Sequence, residues 1–194
     1  GQTGRDIAAV SRMNRLAARH RFVVLYPEQE RMANAQGCWN WFERRNGRAE
    51  AEAATLLAAV DKVARRLPVD LARVAVAGLS AGASMAVLMA ALYPHRFCAV
   101  AMHSGVAPGT AESAATALAA MHGRREAHLP DPPAVAPTDA TVLPVSAPAA
   151  LPPLLIVHGD ADGVVSVRNA AATALLWAGA LGARAGAILS LIHI

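Results

Sequence analysis

The stretch Val74-Ala-Val-Ala-Gly78-Leu-Ser80-Ala-Gly82-Ala-Ser-Met85 decides the fold, because an apolar run breaks there into Gly-x-Ser-x-Gly and continues into small residues. This pattern is typical of a nucleophile elbow, in which a strand turns sharply into a helix and a serine projects from the carboxyl edge of the sheet. The two glycines let strand and helix backbones approach closely. The alternative is a glycine-rich turn that closes an ordinary β-α unit. We predict Ser80 as a nucleophile and the backbone N–H of Ala81 as a donor to an ester oxyanion.

The composition is that of one folded domain. Of the 194 residues, 55% are hydrophobic and 16% are charged, which argues against disorder. No run of eighteen or more apolar residues occurs, so no transmembrane segment is expected. The net charge of +4 comes mostly from arginines that lie among carboxylates on predicted helices, and no basic run is interleaved with aromatic residues. We therefore expect neither nucleic acid nor membrane as a partner, and the oligomeric state stays open.

Apolar strands and helices alternate along the chain. Strands are predicted at 21–26, 74–79, 97–102 and from 154 onward, and helices at 5–20, 49–67, 81–93 and 110–122. Strands that are apolar almost throughout are typical of a parallel sheet with helices on both faces, so the predicted fold class is α/β. Functional sites in such sheets lie at the carboxyl ends of the strands.

The segment Leu154-Leu-Ile-Val-His158-Gly-Asp160-Ala-Asp162 predicts a buried strand that leads into an acidic turn. In an elbow enzyme the acid follows the serine along the chain and lies after a later strand, where it orients a histidine. Asp162 has this position and is favoured. Asp160 is the competitor, but it lies nearer the strand and is expected to bond the backbone of its own turn. Simple turn chemistry accounts for both carboxylates if neither is catalytic.

Four other side chains near the predicted site have alternative roles. His103 follows the strand beside the elbow and either faces the substrate or packs its loop. Trp39 and Trp41 lie in a loop after a predicted strand, where they either form an aromatic wall for an acyl chain or pack the loop on the core. His158 is expected to end its strand with a hydrogen bond.

Residues 123–153 are rich in proline and have little apolar periodicity, so they are interpreted as an excursion within the single domain 1–194. This excursion is either a lid over the active-site mouth or a flexible loop. Cys38 and Cys98 give neither a metal spacing nor a disulfide framework, and Cys98 is interpreted as a small core residue. No His, Asp and Glu set has metal spacing, so we expect no metal and no cofactor.

Several further motifs accompany the elbow and the acidic turn. They are Arg12-Met-Asn14, Val24-Leu-Tyr-Pro-Glu28, Cys38-Trp-Asn-Trp-Phe42, Val69-Asp70 with Arg73-Val74, and His103-Ser-Gly105. With them the chain resembles the polyhydroxybutyrate-depolymerase family of esterases, a branch of the α/β-hydrolases that includes feruloyl- and acetylxylan-type esterases. The resemblance runs over residues 1–122 and 153–170. It implies an α/β-hydrolase fold, Ser80 as nucleophile, Asp162 as acid, a small or polymeric ester as substrate, no cofactor, and an exported protein.

The resemblance also implies parts that lie outside these residues. The family completes its oxyanion hole with a His-Gly-Cys-x-Gln motif whose glutamine looks like Gln2, and the cysteine of that motif would pair with Cys38. The family's catalytic histidine follows a later strand, but residues 178–194 do not match the family and are interpreted as a foreign ending to a domain truncated at both ends. His193 is either the base or a terminal residue with no loop to hold it over Ser80.

Three functions follow from these considerations. The leading hypothesis is a serine carboxylic-ester hydrolase that works through an acyl-enzyme on Ser80. The alternative is a catalytically inactive hydrolase-like fragment that lacks the base and part of the oxyanion hole. A serine peptidase of related fold is the third, although nothing in the sequence would anchor a peptide terminus.

Overall fold

Parallel strands form the sheet at the centre of the molecule. A computed structural model describes residues 2–131 and 150–183. Within these ranges the strands are β1 (Ala75–Leu79), β2 (Ala99–His103) and β3 (Leu154–Val157), and they lie in the order β1-β2-β3. Ala75 pairs with Ala99 and Val100 pairs with Leu154, so all three carboxyl ends lie at one edge. The predicted α/β fold class and these three strands are confirmed.

Helices flank this sheet. In the described ranges they are α1 (Gly4–Ser11), α2 (Met13–His20), α3 (Arg48–Ala64), α4 (Ala81–Leu92), α5 (Ala114–Met121) and α6 (Arg168–Ala180). The prediction of one helix over 5–20 was wrong at a single residue, because Arg12 has φ 56° and lies in the left-handed region, where a right-handed helix cannot continue. The Ser11 hydroxyl accepts the N–H of Met13 over 3.3 Å and so helps the second helix to begin.

The prediction of a strand at 21–26 was also wrong. Residues 22–30 have no regular secondary structure, and Phe22, Val23 and Leu25 are exposed. A strand exists only where a partner supplies backbone hydrogen bonds, and in the described part of the chain this segment pairs with none. An apolar pattern gives the preference for a strand but does not supply its partner.

Helix α4 lies at the centre of the hydrophobic core. All residues from 83 to 92 are buried, as expected for a helix covered on every side. Its inner side packs on β1 and β2, and the apolar side chains of α3, among them Leu56 and Leu57, cover another side. Trp177 of α6 completes the cluster and donates its indole N–H to the Pro152 carbonyl over 2.8 Å. The elbow helix is therefore held rigidly, which fixes the turn from which it starts.

The two faces of the sheet differ in burial. Val100 and Met102 of β2 are buried on the face that carries α4, whereas Leu79, Leu155 and Val157 on the opposite face remain exposed among the described residues. The interpretation of Cys98 as a core residue was wrong, because its side chain is exposed. Cys98 precedes β2 at the amino edge of the sheet, so the burial of the strand does not extend to it.

Candidate active site

Ser80 occupies the turn between β1 and α4 with φ 54° and ψ −121°, a conformation that non-glycine residues rarely adopt. Backbone strain of this kind costs about 1–3 kcal/mol and persists only where the surroundings hold it. Here the Ser80 N–H donates to the His103 carbonyl over 2.9 Å, while the Ser80 carbonyl accepts from Ala83 and Ser84 N–H over 2.9 and 3.1 Å. Both peptide groups of the candidate nucleophile are thus fixed by its neighbours.

Of the two glycines of the elbow, contact distances require Gly78 but not Gly82, where an added Cβ would meet only Trp39 Cδ1 at 4.0 Å, an ordinary contact. A Cβ added to Gly78 would lie 2.1 Å from the carbonyl oxygen of Gly82 and 2.5 Å from the Ala83 nitrogen. A Cβ on Gly105, in the loop after β2, would lie 2.7 Å from the Ala83 Cβ. Strand, helix and loop therefore meet beside Ser80 with no room for a side chain at Gly78 or Gly105. The predicted strand-turn-helix geometry is present.

Ser84 joins the elbow to the loop after β2. Its buried hydroxyl accepts the N–H of Val106 over 2.8 Å and donates to the Ser80 carbonyl over 3.3 Å. The sequence analysis did not identify Ser84, because a serine inside a helix ordinarily lies at the surface and contributes little to stability. The signal available in the sequence was its position, one helical turn after the candidate nucleophile.

Ala81 is the first residue of α4 and directly follows Ser80, so its N–H has no acceptor within the helix. The amino end of a helix also carries a partial positive charge. An oxygen anion formed next to Ser80 would be stabilised by both effects. The donor role of Ala81 stays a prediction.

Asp162 lies in the turn after β3, with 20% of its side chain exposed. Its Oδ1 accepts the N–H groups of Val164 and Val165, each over 2.9 Å. These bonds, Val165 first, lower the pKa of Asp162 below the ordinary value, and the neighbouring His158 ring and the Ser104 side chain add to the effect while burial opposes it. Asp162 is therefore ionised at neutral pH, as an acid that orients a histidine must be.

Asp160 differs from its expected role. The sequence predicted that Asp160 would bond the backbone of its own turn, but Asp162 makes those bonds, and the exposed Asp160 carboxylate makes no hydrogen bond within the described residues. Asp162 closes the turn because its side chain accepts hydrogen bonds from backbone N–H groups two and three residues later, as in an Asx turn. His158 does end its strand with a hydrogen bond, from Nε2 to the Val165 carbonyl over 2.8 Å, as expected.

Strand-end hydrogen bonds bring the serine and the acid turn to one edge of the sheet. The Ser80 N–H bonds the carbonyl of His103 at the end of β2, and the next residue, Ser104, donates its N–H to the Val157 carbonyl at the end of β3 over 2.9 Å. His103 itself is exposed at this edge. Nucleophile candidate, His103 and acid turn thus lie on three consecutive strand ends, where sites of parallel sheets form.

The two tryptophans differ in their relation to the elbow. Trp39 is half-buried, and its Cδ1 lies 4.0 Å from the position of a Cβ on Gly82, beside the candidate nucleophile. Trp41 packs edge-on against Phe42, with ring centroids 5.4 Å apart. Asn40 between them is buried and donates its backbone and side-chain N–H groups to Glu52, over 2.8 and 2.5 Å. The loop is therefore anchored on α3, which places Trp39 at the elbow.

Neither Cys38 nor Cys98 forms a disulfide, and Cys38 is half-buried. No group of three His, Cys, Asp or Glu side chains in residues 2–131 and 150–183 is arranged to hold a metal ion. Over the same residues no helix has both the length and the apolar character needed to cross a membrane. His193 and most of the proline-rich excursion, 132–149, lie outside the described residues, and so does the end of the predicted tail from 184 onward.

A strained serine between β1 and α4, together with an ionised carboxylate after β3, is the arrangement of an α/β-hydrolase. The sequence profile of the esterase PHB depolymerase family matches residues 1–185. The chain belongs to this family. The resemblance found in the sequence motifs is thus confirmed, and the parallel sheet with its flanking helices is the family's α/β-hydrolase fold.

Three relatives show the range of the family. The chain is 41% identical over 87 residues to poly(3-hydroxyalkanoate) depolymerase C of Paucimonas lemoignei, covering 44% of this chain and 21% of that protein. It is 31% identical over 177 residues to a probable acetylxylan esterase A of Aspergillus clavatus, covering 87% of this chain and 54% of the relative. It is 33% identical over 107 residues to feruloyl esterase B of Neurospora crassa, with 55% and 36% covered. The chain therefore spans about half or less of the length of these relatives.

Proposed function

We propose that this chain carries the catalytic core of a serine carboxylic-ester hydrolase in which Ser80 forms an acyl-enzyme. The observation that carries the proposal is the strained backbone of Ser80, held by hydrogen bonds on both of its peptide groups. Strain in a non-glycine residue clusters at active sites, where it presents a reactive group. Membership of an esterase family supports the same class of reaction.

The reaction proceeds in two halves. The Ser80 Oγ attacks the ester carbonyl carbon while a histidine takes its proton, and the Ala81 N–H stabilises the resulting oxyanion. The histidine then gives the proton to the leaving alcohol, which leaves an acyl group on Ser80. Water attacks the acyl-enzyme in the same way and releases the carboxylic acid. Asp162 holds the histidine in orientation and stabilises its positive charge.

We propose a small or polymeric carboxylic ester as the substrate, and a location outside the cell. The names of the relatives, which refer to a polyhydroxyalkanoate, an acetylxylan and a feruloyl ester, support an ester of this class. Trp39 beside the elbow supplies a flat apolar surface for the acyl part. His103, exposed at the end of β2, faces the same edge and is a candidate for contact with the substrate, whereas Trp41 packs its loop.

The test is hydrolysis of an aryl acetate and of a peptide amide, measured for the unaltered chain and for Ser80→Ala. Ester hydrolysis that falls to background in Ser80→Ala, a loss of about 10⁶-fold for a fully active triad enzyme, supports the proposal. Ser11→Ala changes an exposed serine of α1 and serves as the control with unchanged activity. Ester hydrolysis that persists in Ser80→Ala overturns the assignment of the nucleophile, and cleavage of the amide in preference to the ester favours the peptidase.

The second candidate is an inactive hydrolase-like protein. It is favoured by one observation: in the described part of the chain the Ser80 hydroxyl makes no hydrogen bond to a histidine. A serine without a base in reach is a weak nucleophile. Background hydrolysis by the unaltered chain, equal to that of Ser80→Ala, would establish this candidate instead.

A further inference from the structure

His158 follows β3 directly and is almost fully buried, with only 2% of its side chain exposed. Its Nε2 lies 2.8 Å from the carbonyl oxygen of Val165. Its Nδ1 is buried and has no hydrogen-bond partner among the described residues. A histidine in this position therefore makes a single strong interaction, and that interaction reaches the turn that carries Asp162.

The direction of this bond follows from its acceptor. A carbonyl oxygen only accepts, so Nε2 carries the proton and Nδ1 is a bare acceptor in the neutral ring. Leaving such an acceptor buried and unpaired costs free energy that an apolar ring of the same shape would avoid. The N–H at Nε2 offsets that cost, because it pairs with the Val165 carbonyl, which an apolar side chain would leave without this donor.

Val165 connects His158 to the acid. The Val165 carbonyl accepts from His158 Nε2, and the N–H of the same residue donates to Asp162 Oδ1. Oδ1 also accepts the N–H of Val164, so it has two backbone donors. Oδ2 is the oxygen that remains, and it lies 3.6 Å from His158 Nε2, too far for a hydrogen bond. The turn thus holds Oδ1 with two backbone N–H groups, whereas Oδ2 accepts neither of them. The Ser104 side chain, which follows β2, also acts on this carboxylate.

We propose that His158 is a positioning residue of the acid turn: its Nε2–H fixes Val165, which in turn fixes Asp162 so that Oδ2 is presented to the catalytic histidine. The proposal rests on the proposed function for the role of Asp162. It extends that function to a residue that does not touch the substrate and acts through the orientation of a carboxylate. A misplacement of about 1 Å at such a group lowers a rate by about 100-fold.

Three substitutions separate positioning from mere packing. In His158→Gln the side-chain N–H₂ has the reach of Nε2, so the bond to Val165 is retained. In His158→Asn the N–H₂ corresponds to Nδ1 and cannot reach Val165. His158→Phe keeps the buried ring but removes both nitrogens. We expect kcat to fall by about tenfold or more in the Asn and Phe variants with KM unchanged, and to be largely kept in the Gln variant.

Amide hydrogen exchange at Val164 and Val165 supplies a readout that does not depend on turnover. Exchange that accelerates in the Phe and Asn variants but not in the Gln variant supports the proposal. Exchange and kcat that follow the thermal stability of the three variants overturn it, because packing alone then explains them. If Ser80→Ala is inactive while the Phe variant keeps full kcat, the positioning role fails and the proposed function stands. If no variant or parent hydrolyses esters, the proposed function fails, and the exchange pattern alone decides whether His158 holds the turn.

Discussion

The backbone N–H of Ser80 donates to the carbonyl oxygen of His103 over 2.9 Å, which joins the candidate nucleophile to the end of the neighbouring strand. This bond continues the ladder between β1 and β2 by one residue beyond their paired positions. The strained conformation of Ser80 is therefore held by the sheet itself, and not only by the turn. The next bond along the same edge, from Ser104 to Val157, attaches the strand of the acid turn in the same way.

Because the backbones of β1 and α4 are in close contact at Gly78, we expect a single added methyl group there to destabilise the protein. Gly78→Ala places a Cβ 2.1 Å from the Gly82 carbonyl oxygen, so strand and helix must separate. We expect a loss of about 3 kcal/mol in the free energy of unfolding, measured by urea denaturation, together with loss of ester hydrolysis.

Gly179→Ala is the matched control for Gly78→Ala. Gly179 lies in α6, and no atom of the described residues comes within 4 Å of an added Cβ. Alanine there should stabilise the protein by up to about 1 kcal/mol, because it removes backbone freedom from the unfolded chain. Equal stability of the two variants would show that the elbow is not packed as described.

Ser84→Ala tests the link between the elbow and the loop after β2. The substitution leaves the buried N–H of Val106 without its 2.8 Å acceptor and removes a donor from the Ser80 carbonyl. We expect a loss of about 1–3 kcal/mol in unfolding free energy and a lower kcat with KM unchanged. Ser11→Ala, which removes an exposed hydroxyl that accepts the Met13 N–H, should cost at most about 1 kcal/mol and leave kcat unchanged. A stable Ser84→Ala protein with full kcat would remove Ser84 from the account of how Ser80 is held.

The elbow could be predicted from the sequence because its determinants are local: Gly78, Ser80 and Gly82 specify the turn within five residues. The strand expected at 21–26 could not, because a strand depends on a partner that is distant in sequence. The sequence also could not predict that Asp162 and His158 both form hydrogen bonds to one residue, Val165. Spacing nominated Asp162 as the acid, but only geometry shows which of its oxygens is occupied by the backbone.

Substitution of Asn169 tests how strongly its buried amide stabilises the contact between the loop after β2 and α6. Its buried amide donates to the carbonyls of Ala120, Met121 and Ser166 over 3.0 to 3.3 Å, and its Oδ1 accepts the N–H of Ala107 over 3.0 Å. Asn169→Ala leaves these groups unpaired and should cost about 3 kcal/mol in unfolding free energy, measured by urea denaturation.

Asn169→Asp provides the second arm of this test. The carboxylate keeps an acceptor for Ala107 but sets an oxygen against three carbonyl oxygens, so it should destabilise more than alanine at neutral pH. Asn46→Ala, which removes an exposed amide that donates to Glu43 and accepts the N–H of Arg48, should cost at most about 1 kcal/mol. Similar stabilities for the Asn169 and Asn46 variants would contradict the role of the buried amide.

We expect Asp162→Asn to lose stability in a pH-dependent way. The direction of the pH dependence follows from the lowered pKa of Asp162. Because hydrogen bonds from Val165 and Val164 lower the pKa in the folded state, the carboxylate stabilises the fold above the ordinary aspartate pKa of about 3.9. This contribution is lost as the pH falls through the lower pKa of the folded state. The unfolding free energy of Asp162→Asn should therefore lie below that of the unaltered chain at neutral pH, and the difference should shrink below about pH 4, as measured by urea denaturation over a pH series.

Asp160→Asn, at an exposed carboxylate without a hydrogen bond in the described residues, should give a small difference at every pH. A difference for Asp162→Asn that stays constant down to low pH would mean that the charge of Asp162 does not contribute to holding its turn.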